Sequence, residues 1–164
     1  MLEDLAYSDF SQWMIISPWA YPGFLTAHGL GMAFVVGLTV MISIRILGYP
    51  AQLPLGPYAK AIPLGIAAFF INAASGTALF VADAVTLWDN PSFQFKLISI
   101  AVGLVVLWLL ARGPLRRAAA VEAHGRTYVA DGKERTLAIL ALIIWVVSVI
   151  VSGRLIAYLA PSLF

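Results

Sequence analysis

The sequence predicts an all-α fold: a four-transmembrane-helix bundle, with both termini periplasmic and a short N-terminal interfacial helix. Three observations predict it. Of 164 residues, 62% are hydrophobic, well above the half expected of a soluble domain. The apolar residues gather into four stretches, each of the ~20 residues that a hydrocarbon core requires. The charged residues, only 11% of the chain, collect in the segments between them. The chain reads as a single membrane domain over 1–164, without strand alternation or an internal repeat.

Residues 1–23 form an outer arm. Phe10, Trp13, Met14, Ile16 and Trp19 mix with Asp9, Ser11 and Gln12, as in an amphipathic segment lying in the interface. Ser17-Pro18 and Tyr21-Pro22-Gly23 are expected to end it. An extended arm resting on the bundle is the alternative. The acidic start, MLEDLAYSDF, lacks the basic region of a secretory signal peptide and is read as part of the arm.

Span one is about 24–47. Gly29, Ala33 and Gly37 recur every four residues, a stripe expected to let another helix approach closely. Arg45 is expected to snorkel to the interface. The following loop, rich in proline and glycine, cannot continue the helix. Span two is about 61–88, with Pro63 in its first turn. Asn72, Gly76, Leu79 and Asp83 share a face at helical spacing, with Ser75 beside it. The short turn Asp89-Asn90-Pro91 makes spans two and three expected antiparallel neighbours. Span three is about 92–112, with Lys96 in its first turns. Residues 113–135 form a basic loop whose Ala-rich front half suits a short surface helix and whose Asp131-Gly132 marks a turn. Span four is about 136–158. Trp145, Ser148 and Ser152 share a face, Arg154 comes late, and Tyr158 follows near the interface.

Topology follows from the basic residues. Arg45, Lys60, Arg112, Arg116, Arg117, Arg126, Lys133 and Arg135 flank or lie in the two loops on one side; only Lys96 and Arg154 lie on the other. The positive-inside rule puts both loops in the cytoplasm and both termini in the periplasm. The expected location is a bacterial inner membrane, crossed several times. A formal charge of +2, carried beside span ends, reports orientation and no nucleic-acid partner. The absence of cysteine excludes disulfides, thiolate metal sites, iron–sulfur clusters and covalently attached haem.

This topology gathers His28, Asp83, Lys96 and Arg154 into one outer layer, one ionisable side chain per span. At 1.5 Å per residue, His28 enters about 6 Å below the start of span one. Ionisable residues in a span point to function by default. A structural account pairs Asp83 with Lys96 or Arg154 and lets His28 bond a carbonyl or Ser152. A cofactor account makes His28 an axial ligand to haem b iron, or a hydrogen-bonding group for a quinone, with Arg154 and Lys96 on its acidic or carbonyl groups. His124, the second histidine, lies in the basic loop. Roughly 30 Å of membrane separates it from His28, so the two cannot hold one iron. That leaves five-coordinate haem, a second ligand from Met14 of the arm, or a ligand from another subunit. No hydrolase, phosphate-loop, dinucleotide or zinc-peptidase motif occurs.

His28-Gly29-Leu30-Gly31, Arg45-Ile46-Leu47-Gly48, GTALFVADAVTLWDNPSFQFKL at 76–97 and SGRLIAYL at 152–159 resemble an uncharacterised family of bacterial four-span membrane proteins, a domain of unknown function. The resemblance covers all four spans, and its middle motif is the most specific part. It implies a four-helix bundle in which His28, Asp83, Lys96 and Arg154 belong to the family pattern, and it implies no reaction. A looser similarity is to small b-type cytochrome membrane subunits. The expected role is an accessory or anchoring subunit of a larger membrane complex, possible redox association included, and not an enzyme on its own. Its partners are then the lipid bilayer and other membrane subunits. The alternative is an electron-transfer protein holding haem b or quinone through His28. A transporter or channel is a weaker third reading, since one four-helix chain leaves little room for a pathway.

Overall fold

The computed structural model describes residues 2–159, with side chains through 156. Among these residues there is helix and turn and no strand. Four helical stretches are long and apolar enough to cross a membrane: Ala20–Ile46, Gly56–Ala82, Pro91–Glu122 and Gly132–Ile156.

The arm is two short helices, α1 (Leu2–Ala6) and α2 (Asp9–Ile16). The Ser8 hydroxyl caps α2 by accepting from the Ser11 backbone N–H. The arm is helical, as expected, and it is also docked. Ser11 and Met14 are fully buried. Met14 packs with Ala78 and Ala82, and the Ser11 hydroxyl donates to the Ala82 carbonyl at 3.3 Å.

Span one is α3 (Ala20–Ile46). Tyr21-Pro22-Gly23 does not break the chain, contrary to expectation. Pro22 falls in the first turn of α3, where its missing N–H is one the helix could not have used. The helix ends at Gly48, whose φ of +106° is easily adopted without a Cβ. The Tyr49 N–H then closes back on the Ile44 carbonyl at 3.1 Å.

Span two is a short 3₁₀ turn, Gly56–Ala61, running into α4 (Ile62–Ala82). The expected continuous helix to residue 88 is interrupted. Asp83 leaves helical geometry (φ −145°, ψ 53°), and the chain resumes as α5 (Ala84–Trp88). Asp83 therefore does not continue the face of Asn72 and Gly76.

Span three is α6 (Pro91–Leu110), started by Asn90, whose side-chain oxygen accepts from the Ser92 N–H at 2.9 Å. Gly113-Pro114 does not stop it. A π-helical turn over Ala111–Leu115 absorbs the proline, and the chain continues as α7 (Arg116–Glu122). The Ala-rich segment is thus an extension of span three, not a separate surface helix.

Span four begins earlier than its apolar run. α8 (Gly132–Leu142) is opened by a capping box, with Asp131 accepting from the Glu134 N–H and Glu134 reaching back to the Asp131 N–H. The span then widens into π-helix over Ile143–Val151 and ends as α9 (Ser152–Leu159). Buried residues recur at Ala141, Trp145 and Val149, a spacing of four that keeps one face inward through the π segment. The side chain of Tyr158 lies outside the described residues.

Packing joins span one with two and span three with four, and closes span four back onto span one. α4 lies along α3, α8 lies on α3, and α6 lies along the later part of span four. Spans two and three meet at both ends: Gly56–Ala61 packs against α7, where a Cβ on Gly56 would sit 3.0 Å from Ala119 Cα, and Phe80 of α4 stacks on Phe93 of α6 at 5.4 Å. The expected antiparallel neighbours are thus in contact at both ends. Backbone meets backbone closely at Gly31: a Cβ there would sit 2.8 Å from the Ala68 carbonyl oxygen and 2.9 Å from the Asn72 N. The Gly29, Ala33, Gly37 stripe does not serve this contact. A Cβ at Gly29 or Gly37 would meet nothing within 4 Å, so the stripe faces out of the bundle.

Three apolar clusters follow one another down the bundle. The largest holds Ile42, Ile46, Leu55, Leu110, Leu115 and Ala138 at the basic-loop end. A middle cluster gathers Val35, Val36, Ala68, Trp145 and Val149. The Trp145 indole N–H donates to the Gly103 carbonyl at 3.2 Å. The smallest cluster, around Met14, lies at the arm end.

Candidate functional site

His28 lies in the early part of α3 and faces α4. Its Nδ1 is 3.0 Å from the Asn72 carbonyl oxygen. A carbonyl can only accept, so Nδ1 carries the proton in that contact and Nε2 of the neutral ring is left as an acceptor. The Asn72 side-chain Nδ2 donates to the His28 carbonyl at 2.7 Å. Its 3.2 Å approach to Nδ1 is then a contact between two donors, and the shorter bond decides its orientation. Gly76, one turn on, makes room for the ring: a Cβ there would be 2.9 Å from His28 Cε1. Gly31 and Gly76 thus let the two helices close around an imidazole held at one nitrogen.

Lys96 comes from α6. Its ammonium lies against Gly153, 3.4 Å from where a Cβ would stand. Spans one and two thus meet at His28, Asn72 and Gly76, and spans three and four at Lys96 and Gly153.

The other two expected members do not join them. Asp83 stands at the break between α4 and α5, where its Oδ2 is buried without a hydrogen-bond partner. Among the described residues it makes no ion pair with Lys96 or Arg154. Arg154 is exposed on α9. Ser152 does not bond His28; its hydroxyl donates to the Ser148 and Val149 carbonyls within its own helix. The four-residue layer reduces to two separate contacts, His28 with Asn72 and Gly76, and Lys96 with Gly153. Asn72 is visible in the sequence as a polar residue on the inward face of span two. Its pairing with a histidine 44 positions away has no local signal.

A haem enclosed by this chain is a poor fit to these residues. His28 supplies one ring nitrogen. Met14, the conceivable second ligand, is fully buried in packing against Ala78 and Ala82. His124 is in the basic loop, exposed, with Nδ1 on the Ala120 carbonyl at 2.8 Å. Among the described residues no three His, Asp or Glu side chains gather as metal ligands. A group that hydrogen-bonds suits His28 better, since Nε2 is left as an acceptor.

The basic-loop end carries polar structure that local sequence signals do not announce. Glu122 accepts from the Leu55 N–H at 2.9 Å and the Gly56 N–H at 2.7 Å, capping the free start of span two. Glu134 is buried. It receives Arg117 on one oxygen and the Tyr128 hydroxyl on the other. Burial, and then the Glu134 carboxylate that Tyr128 bonds, push the Tyr128 phenol well above the usual tyrosine range. Arg45 does not snorkel outward: it is 7% exposed and donates to the Leu53 and Ala51 carbonyls. The Asp-x-x-Glu spacing at 131–134 is a readable capping signal; the contacts of Glu122 and Arg45 join separate segments and are not.

No family model matches this chain, and no match is found among curated proteins or solved structures.

Proposed function

We propose that this chain is a small accessory or anchoring subunit of a larger membrane complex, in a bacterial inner membrane with both termini in the periplasm. The observation that carries this reading is the outward direction of the Gly29, Ala33, Gly37 stripe. Its own helices do not use it, and an open groove of about 510 Å³ runs beside it, lined by Ala33, Gly37, Ala61 and Gly65 among others. Small residues let helices approach closely in lipid, where packing drives association. The partner expected is a transmembrane helix of another subunit. The orientation rests on the distribution of Lys and Arg. The family resemblance, a four-span domain of unknown function, is compatible with such a role.

The test is a photo-crosslinking side chain placed at Gly37, with the protein purified in mild detergent from its own host. A defined adduct, lost in Ala33→Leu while the monomer stays folded, is the expected result. A lone monomer without adduct overturns the reading.

A second reading is favoured by His28, held at Nδ1 with Nε2 left as an acceptor. It is a redox-associated role in which a quinol headgroup donates one ring hydroxyl to His28 Nε2, with Lys96 as the donor to the oxygen of the other hydroxyl. Arg154 and Asp83 have no part in that contact. Quinone co-purifying with the protein and lost in His28→Ala supports it; equal quinone in both proteins removes it. An absorption spectrum without a Soret band, unchanged by dithionite, disposes of the haem b form.

A further inference from the structure

Arg45 presents a problem of charge. It is a buried cation with no acidic partner among the described residues. Carbonyls of residues 51 and 53 take two of its donors, but they bring no negative charge, and a desolvated ion without a counter-ion is costly. The carboxylates at this end are already engaged. Glu122 is held by two backbone N–H groups, and Asp131 and Glu134 are taken by Arg117, Tyr128 and their own helix cap.

Beside Arg45 lies a cavity of about 150 Å³, lined by Gly48, Thr127, Tyr128, Ala130 and a second cation, Arg135. Arg135 makes no ion pair among the described residues. The Tyr128 hydroxyl is turned to Glu134, which leaves Arg45 and Arg135 as the charged residues of the lining. The cavity is smaller than the ~300–1,000 Å³ of sites for larger organic ligands. Its size suits one tetrahedral anion with a few waters. Guanidinium groups match phosphate oxygens in geometry as well as charge. The cavity lies at the end of α3 and the start of α8, beside the basic loop.

We infer that Arg45 and Arg135 form a phosphate-binding pocket at the basic-loop end, which takes the phosphate of an anionic lipid headgroup or free inorganic phosphate. This pocket is independent of the His28 region and of any docking at span one.

The test uses the full chain in mild detergent, with native mass spectrometry after adding phosphatidylglycerol or phosphatidylcholine of equal acyl length. Thermal melting with and without inorganic phosphate runs in parallel. Retention of phosphatidylglycerol roughly tenfold above phosphatidylcholine is expected, given the attraction of two arginines for an anionic headgroup. Arg135→Glu should reduce it to the phosphatidylcholine level. Arg135 is the residue to change because it is exposed and serves no cap, whereas Arg45→Ala would also remove the loop carbonyl contacts. Lys133→Glu, the same charge change on an exposed neighbour outside the cavity, should leave the preference intact. Phosphatidylglycerol binding unaffected by millimolar phosphate identifies the lipid as the source. A melting shift with phosphate, without lipid preference, identifies the free anion. Equal retention of both lipids with no phosphate shift overturns the pocket, as does equal loss in Arg135→Glu and Lys133→Glu.

Discussion

The two ends of this bundle treat their charges differently. At the basic-loop end, the carboxylates of Glu122, Asp131 and Glu134 all have partners, and Glu122 joins segments far apart in the chain. The largest apolar cluster lies there too. At the arm end, Asp83 has a buried oxygen with no partner, and Lys96 and Arg154 make no ion pair among the described residues. The apolar cluster beside them has three buried residues. One end is stapled for stability. The other retains polar groups that the fold does not consume, and retained polarity within a membrane span is where binding is to be sought.

Substitutions can break this contrast. The largest effect is expected from Glu122→Ala, which strands the Leu55 and Gly56 N–H groups and loses two charge-assisted bonds. A loss of about 3 kcal/mol follows from typical values for such bonds. It should appear in denaturant titration in detergent, with faster hydrogen exchange at Leu55 and Gly56. Next is Asn72→Leu, which leaves His28 Nδ1 its backbone carbonyl but removes the side-chain bond to the His28 carbonyl. About 1–2 kcal/mol is expected, on the scale of one buried hydrogen bond, measured the same way. Gly76→Ala should cost about 1 kcal/mol, the low end of overpacking, because a ring can turn aside where backbone cannot. Its sharper signature is a changed imidazole ¹⁵N shift at His28, reporting loss of the Nδ1 contact.

Asp83→Asn tests the arm end directly. With no ion pair to lose, stability should change by no more than about 0.5 kcal/mol or rise; a large loss would mean the end is stapled after all. The smallest effect concerns pH. The Tyr128 phenol titrates higher in the folded protein than in the unfolded chain. Its stabilising contribution is therefore complete below the ordinary tyrosine value of about 10 and declines as pH rises above it, since the unfolded chain ionises first. Tyr128→Phe should remove that alkaline decline from the melting profile.

By itself the sequence determined the helix class and the number of candidate spans, because both depend on local composition and length. Four apolar runs of sufficient length have few alternatives in lipid. It also marked His28 and Lys96 as polar groups in apolar runs. The sequence could not determine which polar groups meet. The His28 contact with Asn72 joins positions 44 apart, and Glu122 reaches 67 positions back to Leu55. These contacts depend on which spans lie side by side, and nothing local in the sequence reports that span four lies on span one. Local proline and glycine signals failed for a related reason. Pro22 and Pro114 sit where the helix has spare donors or a π turn to absorb the ring, while the real break came at Asp83, which carries neither residue. Tertiary packing decided that the Gly29, Ala33, Gly37 stripe faces outward and that Arg45 points inward, since helical periodicity gives a face its composition and not its neighbour.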